Sequence, residues 1–290
     1  MKRIAIVGAG PAGAHLACLL SKSGAQVVLF DARDAWEKPC GGGVTAKALQ
    51  EFDFLRSNDS PKRMVSSLRL VSAKGRTLTL EPRDQFAIYS RTELARLLRG
   101  RAVDAGAMLA NERVERFTRE SGGWLVETGR QRFTVDFLVG ADGATSTIRR
   151  RVSGPLARRD IGFALGWHIK TDSGLDRTEI KYVDNFTGYI WAFPRVDHVS
   201  YGIVTNHGAL TPEQLKEALL DYIGTVDAGA ANEIRRNGKG STARATFYAA
   251  TIPALTPESW DSLSACDASE RWALVGDAAG FVDPVTGEGI

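Results

Sequence analysis

The stretch RIAIVGAGPAGAHLACLLSKSGAQVVLFD, Arg3 to Asp31, decides the fold. Ile4 to Val7 form a short, continuous apolar run, the pattern of a strand buried on both faces of a parallel sheet. The run ends in GAGPAG. Gly8 permits a tight turn, Gly10 lets the backbone approach a pyrophosphate, and Gly13 lets the helix opened by Pro11 and Ala12 pack closely on the strand. The start of that helix also offers unsatisfied amide donors to phosphate. Leu16, Ala17 and Leu20 recur at helical spacing, Gly24 stops the helix, and Val27 to Phe30 read as a second strand. Asp31 follows, where a carboxylate accepts hydrogen bonds from an adenosine ribose. Strand, turn, helix, strand and acid in one register predict a dinucleotide site. The motif alone leaves NAD and FAD open, and Asp31 disfavours a 2′-phosphorylated ribose.

The 290 residues are 43% hydrophobic and 24% charged, enough to bury a sizeable core in one large domain or two. With 37 Lys+Arg against 34 Asp+Glu, no whole-chain field points to nucleic acid. The run Arg149, Arg150 and Arg151 reads as a solvated face, and it also suits an anionic cofactor or a membrane surface. Cys18, Cys40 and Cys266 are widely spaced, odd in number and outside any CxxC pattern. They argue against a disulfide framework or a metal site and for a reducing cytoplasm. The opening apolar run is too short for a signal peptide, and no segment approaches the length of apolar chain needed to span a bilayer. His15, His168, His198 and His207 show no partner spacing and read as structural or exposed.

Beyond Asp31, Ser67 to Val71 and Arg76 to Leu80 flank Lys74-Gly75, a hairpin signal. Arg91 to Ala105 is predicted helical, with Gly106 as its stop. Val114 to Phe117, Gly123 to Thr128 and Arg132 to Val135 read as a meander, and Phe137 to Gly140 as a further buried strand. A β-rich block runs from Ile161 to Thr205, before a helix with Thr211 as N-cap and Pro212 at its first position, burying Leu215, Leu219 and Tyr222. Trp272 to Val275 is the last buried strand. Asp142-Gly143 and Gly276-Asp277 both follow buried strands, at the sheet end where α/β folds bind ligands. Either one alone reads as a turn former.

Three motifs, GAGPAG with Asp31, GADGATSTIRR and VGDAAGFVDPVTGEGI, resemble the glutathione-reductase-type FAD oxidoreductases of the aromatic hydroxylase branch across the whole chain. The resemblance implies an α/β fold in which a Rossmann-like FAD-binding domain, βαβ plus β-meander, carries an inserted β-rich substrate domain. The expected FAD-binding domain is discontinuous over 1–65, 84–152 and 265–290, the substrate domain covers 66–83 and 153–264, and a helical region normally follows 290. Implied FAD contacts are Gly8, Gly10, Pro11, Ala12, Gly13, Asp31, Ala32, Arg33, Arg91, Asp142, Gly143 and Gly276, with the backbone near Val114 along the adenine. Asp277 is expected to hold the ribityl chain. The loop containing Pro284, Gly287 and Gly289 is expected to bring amides to the flavin's pyrimidine edge, where a helix dipole stabilises the anionic reduced ring.

Within this group, KPCGGGV resembles the flavin-side loop of the geranylgeranyl reductase family, and GYIWAFPR resembles its YxWxFP substrate motif. Phe186 stands where that family commonly has proline, and Arg195 where it often has lysine. Tyr189, Trp191 and Phe193 alternate along the predicted strand, so their rings share one face and are assigned to a polyprenyl substrate. The glycines after Cys40 let the backbone run against the isoalloxazine, so Cys40, Gly41 and Gly42 join the cofactor set. Cys40 and Tyr189 are the catalytic candidates. The implied activity is hydrogenation of polyprenyl C=C bonds, in lipids or in a prenyl diphosphate. NAD(P)H, a ferredoxin-like protein or a quinol would act as transient electron donor, and the protein would be cytoplasmic or peripheral on the inner face of the membrane. The alternatives are a flavin monooxygenase or halogenase on the same scaffold, and an FAD-binding redox or resistance factor without lipid turnover.

Overall fold

The computed structural model describes all residues except 172–173, 185–187, 207–209, 284–285 and 290. The chain opens with β1 (Arg3–Val7), α1 (Pro11–Lys22) and β2 (Gln26–Phe30). There follow β3 (Gly43–Val44), the short helices α2 (Ala46–Glu51) and α3 (Asp53–Arg56), and β4 (Lys62–Val65), β5 (Leu68–Val71), β6 (Thr77–Leu80) and β7 (Phe86–Tyr89). Helix α4 (Arg91–Asp104) leads to β8 (Met108–Ala110), β9 (Val114–Glu120), β10 (Gly123–Thr128), β11 (Arg132–Val135), β12 (Phe137–Gly140) and α5 (Thr147–Val152). Next come β13 (Ile161–Ile169), β14 (Thr178–Tyr182), β15 (Gly188–Pro194), β16 (Val199–Thr205), α6 (Pro212–Val226), α7 (Ala228–Arg236) and β17 (Ala245–Pro253). The last elements are α8 (Pro257–Asp261), β18 (Cys266–Asp267) and β19 (Trp272–Leu274).

Two compact units form. The first comprises Met1–Trp36, Thr92–Ile161 and Ile252–Ile290. Its main sheet has the order β18-β19-β12-β1-β2-β8. All neighbours pair parallel except β18, which runs antiparallel to β19 at the edge. Beyond Arg3 and Gln26 at their starts, the central strands β1 and β2 are apolar because both faces are covered. Ala5 and Leu138 are fully buried, and with Phe30, Trp124, Ile148 and Leu274 they build one core. The antiparallel meander β9-β10-β11 contributes Phe133, whose ring meets Phe30 edge-on at 5.1 Å. Sheet order reverses about β1, with β2 on one side and β12 on the other. In such sheets ligands bind beyond the carboxyl ends of the strands at this switch point.

The second unit comprises Glu37–Arg91 and Gly162–Thr251. It holds a seven-stranded sheet, β17-β13-β16-β15-β14-β5-β6, and a small sheet, β3-β7-β4. One face of the large sheet, including Leu165, Trp167, Ile190, Ala192, Tyr201 and Ile203, forms a core with Leu215, Leu219 and Ile223 of α6 and Ile234 of α7. Helix α6 starts at a full capping box between Thr211 and Gln214, worth about 1 kcal/mol.

The compact units divide at different points from the sequence boundaries. Residues 37–65 and 84–91, assigned to the FAD-binding segments by the sequence, lie in the second unit. Gly43 and Val44 pair there with Ile88 and Ala87 of β7, a long-range contact with no local signature. The segments 153–161 and 252–264, expected in the substrate domain, lie in the first unit. There Ala254 donates its N–H to Asp160 O at 2.8 Å. Helix α7 and strand β17 are not among the elements predicted from the sequence. Among the described residues, no helix is long and apolar enough to cross a membrane.

Candidate active site

In the first unit three glycine-bearing turns converge at the ends of β1, β12 and β19. Gly8 has φ +107°, and a Cβ there would lie 2.2 Å from Ala141 O, so the turn after β1 rests directly on the turn after β12. A Cβ on Gly13 would lie 2.0 Å from Gly8 O, which ties α1 to its strand. Gly10 differs: a Cβ there would meet nothing within 4 Å. The protein's own packing does not require glycine at that position. The space lies at the α1 N-cap, which has no side-chain hydrogen bond, as a phosphate-binding helix start demands.

Asp31 is fixed rather than freely solvated. Its Oδ2 accepts from Ala9 N–H and from Arg99 Nη2, both at 2.9 Å, and its Oδ1 accepts from Arg33 N–H at 3.0 Å. Arg99 also donates to the carbonyls of Ala9 and Arg33, at 3.0 and 2.9 Å. This buried arginine therefore locks both ends of the β1-to-β2 crossover. Sequence reading passed over it as an ordinary helix residue, and the only hint was a cation eight positions after Arg91 on α4. Ala32 lies between Asp31 and Arg33 in the same turn. The Arg33 guanidinium stacks 4.5 Å over Trp36.

The two acidic turns do different work. Asp142 accepts from the Ser146 hydroxyl and from the Thr147 and Ile148 N–H groups, at 2.6 and 3.2 Å for the amides, so it caps α5. Gly143 beside it has φ +83° and open space around its α-carbon. Asp277 sits in a 3-10 turn, Gly276–Ala278, and a Cβ on Gly276 would lie 2.7 Å from Ala12 Cβ. The third turn thus meets the first turn of α1. Arg149 donates to Ala278 O at 3.2 Å. Burial lowers the Arg149 pKa, against the opposing pull of Asp160. Gly287 has φ +68° and donates to Asp283 O at 2.9 Å, and a Cβ on Gly289 would stand 3.4 Å from Asp277 Oδ1. Pro284 and His207 lie outside the described residues. Val114 opens β9 and pairs with Thr128 across a register shift.

In the second unit the alternation along β15 falls as expected. Ile190 and Ala192 enter the core, and Tyr189, Trp191 and Phe193 stand on the other face. Tyr189 lies opposite Tyr182 of β14, and its ring is 6.2 Å from that of Trp191. Trp191 is only 6% exposed because its indole lies on Gly202 of β16, where a Cβ would be 2.0 Å from the ring. Phe193 covers the glycine loop, with a Cβ on Gly41 falling 2.6 Å from Phe193 Cδ2. Gly42, at φ +81°, has room for no side chain between Tyr89 O and Arg195. Cys40 is part-buried, and its Sγ accepts from Gly42 N–H at 3.3 Å. The cysteine loop and the aromatic strand, two separate motifs in the sequence, are in direct contact.

Among the side chains behind this contact, Glu37 and Tyr248 went unread in the sequence. Arg195 is almost completely buried and paired with Glu37 at 2.7 Å. The Glu37 carboxylate also accepts from Arg91 N–H and from the Ser90 hydroxyl. Arg91 is 7% exposed, and its Nε has no hydrogen-bond partner among the described residues. His168 and His198, thirty positions apart, meet edge-to-face at 4.9 Å, because β13 and β16 pair His168 with Ser200. His168 also faces the Tyr248 ring at 4.5 Å. Burial, reinforced by Arg195 and His198, pushes His168 down to about 3, so it is neutral at pH 7. His198 is lowered by burial and Arg195, opposed by its bond to Asp197. Tyr248 is raised by burial.

A family model described as FAD binding domain matches residues 1–169. The chain belongs to the FAD-binding-domain family. The geometry fits this cofactor: the open space at Gly10 lies in front of an uncapped helix start, and Asp31, held by Arg99, stands at the end of β2. The chain is 29% identical to each of two relatives named geranylgeranyl diphosphate reductase, over 318 and 301 residues. The alignment with the chloroplastic protein of Oryza sativa subsp. japonica covers 99% of this chain and 63% of that protein. The alignment with the protein of Rhodobacter capsulatus covers 98% and 70%. The chain therefore spans about two thirds of the length of these relatives. A crystal structure of a geranylgeranyl bacteriochlorophyll reductase-like protein from Thermoplasma acidophilum superposes with TM-score 0.77 at 23% identity, covering 99% of this chain and 74% of that one. That likeness concerns the fold.

Proposed function

We propose that the protein is an FAD-dependent reductase that hydrogenates C=C bonds of polyprenyl, in particular geranylgeranyl, groups in lipids or diphosphates. The observation that carries the proposal is the packing of the CGGG loop against Phe193, on the aromatic face of β15, which brings the two substrate-side motifs into contact. The names of the relatives from Oryza and Rhodobacter point to the same substrate class.

Bound and reduced, FAD supplies hydride chemistry. The residues of this chain that would hold it are the amides at the start of α1 for the pyrophosphate, Asp31 for the adenosine ribose and Asp277 for the ribityl chain. An isolated prenyl alkene has no carbonyl to polarise, so the protein lowers the barrier by orientation and exclusion of water. Phe193 and Tyr189 supply that apolar surface. Trp191, locked on Gly202, sets its floor. A proton must reach the second alkene carbon, and the Tyr189 hydroxyl or the Cys40 thiol is the proposed donor. His168 is not, because it stays neutral until about pH 3. Electrons come from NAD(P)H, a ferredoxin-like protein or a quinol. Placement in the cytoplasm, or peripherally on the inner membrane face, suits a lipid substrate. The test is product analysis: FAD-loaded, reduced protein is incubated under argon with geranylgeranyl diphosphate, and the lipid is examined by mass spectrometry. Products heavier by one H2 per reduced bond support the proposal, and unchanged substrate at stoichiometric enzyme overturns it.

A further inference from the structure

The geometry points to Arg195 and Glu37 as a positioning pair that sets the conformation of the Cys40 loop, a role that deepens the reductase reading and rests on it for its catalytic consequence. Arg195 uses its planar fork in two directions. Nη1 donates to Glu37 Oε1 at 2.7 Å, and Nη2 donates to Cys40 O at 2.8 Å. The same Cys40 carbonyl accepts from the Ser200 hydroxyl at 3.2 Å. The Ser200 oxygen in turn lies 3.5 Å from Trp191 Nε1 and 3.2 Å from the Tyr248 hydroxyl.

Backbone bonds fix the two sides of the arrangement. Arg195 N–H donates to His198 O at 2.7 Å, closing the β15–β16 connection that carries the guanidinium. Tyr89 N–H donates to Gly42 O at 2.9 Å. A Cβ on Gly42 would stand 2.9 Å from Arg195 Cζ, so the glycine admits the arginine into the loop. With the carbonyl of Cys40 held from below, the Gly42 amide turns back to the Cys40 sulfur at 3.3 Å. The orientation of the thiol is therefore an output of the pair.

Burying such a pair is a poor route to stability, because desolvation offsets most of the attraction. Its specific product is geometry, since a guanidinium can bridge a carboxylate and a carbonyl that a lysine ammonium meets only one at a time. Asn or Gln in place of the arginine would leave Glu37 to the Arg91 amide and the Ser90 hydroxyl, and the Cys40 carbonyl to the Ser200 hydroxyl.

The test uses the chain with Cys266→Ser, so that Cys40 is the accessible thiol; Cys18 is 3% exposed. Alkylation of Cys40 by iodoacetamide is timed in this background and in Arg195→Lys, Glu37→Gln and Ser200→Ala. Arg195→Lys is expected to change the labelling rate by about 10-fold or more and to lower kcat by about 10-fold with KM little altered, as misplaced loop atoms do. Folding is followed by thermal unfolding. If Arg195→Lys does not fold, Glu37→Gln and Ser200→Ala carry the same labelling test. Folded variants with wild-type labelling and wild-type kcat overturn the assignment. Altered labelling in a protein that leaves prenyl diphosphate untouched supports the positioning pair and overturns the reductase reading instead.

Discussion

Replacing Gly10 by alanine separates the cofactor's demands from the protein's. A Cβ at Gly10 meets no protein atom within 4 Å. In the free protein the cost is that of alanine at an N-cap, about 1 kcal/mol or less. With FAD the methyl occupies the space the pyrophosphate needs, and each charge-assisted amide bond weakened costs about 1.5–3 kcal/mol. Loss of one such bond lowers FAD affinity by about 10- to 100-fold. Gly13 is the contrast. Its Cβ would lie 2.0 Å from Gly8 O, where ordinary contact begins at 3.4 Å, so Gly13→Ala must push α1 off β1. Overpacking of this kind costs about 1–3 kcal/mol or more. The assay pairs FAD fluorescence titration with thermal unfolding of the apoprotein. Gly10→Ala should lose affinity and keep apoprotein stability; Gly13→Ala should lose both. Wild-type FAD binding by Gly10→Ala would refute the reasoning, as would an apoprotein as damaged as that of Gly13→Ala.

Further outcomes follow from the second unit. Gly202→Ala places a Cβ 2.0 Å from the Trp191 ring, so urea unfolding should show a loss of about 1–3 kcal/mol, with a shifted tryptophan emission. Cys40→Ser should leave FAD affinity within about twofold while lowering prenyl turnover, since the cysteine shapes the loop and is not a pyrophosphate contact. For His168 the folded pKa, about 3, lies below the ordinary imidazole value of 6.5. The unfolded chain takes up the proton first, so stability is lost as pH falls below 6.5 towards 3. Between pH 7 and pH 5 this amounts to about 1–2 kcal/mol. Unfolding of His168→Asn should lack that component, and an unchanged slope would remove His168 from the account.

What the sequence made legible was local. Ile4 to Asp31 announced the crossover because each step has a short-range cause, from the apolar run through the glycine turn to the helix stop. The alternation in Tyr189, Trp191 and Phe193 placed the rings on one face for the same reason. Long-range pairing was out of reach. Arg99 and Asp31 are 68 positions apart, and Glu37 and Arg195 are 158 apart. His168 and His198 looked scattered because only the β13–β16 register brings the two together. The packing of residues 37–65 was out of reach on the same ground: the CGGG loop is held by β7 and β15, and neither is a sequence neighbour. One clue was available in advance. An arginine directly after the apolar run WAFP invites a search for a buried acid, since charges rarely enter a sheet unpaired.

The central claim is that this FAD-binding chain delivers reducing equivalents to a prenyl alkene. The most direct measurement is stopped-flow flavin absorbance of the photoreduced holoprotein, mixed under argon with geranylgeranyl diphosphate and, separately, with oxygenated buffer. The account predicts reoxidation by the prenyl diphosphate without oxygen. Reoxidation only when oxygen is admitted would contradict it and favour a monooxygenase or halogenase, and reoxidation by neither would leave a flavin-binding protein without this chemistry.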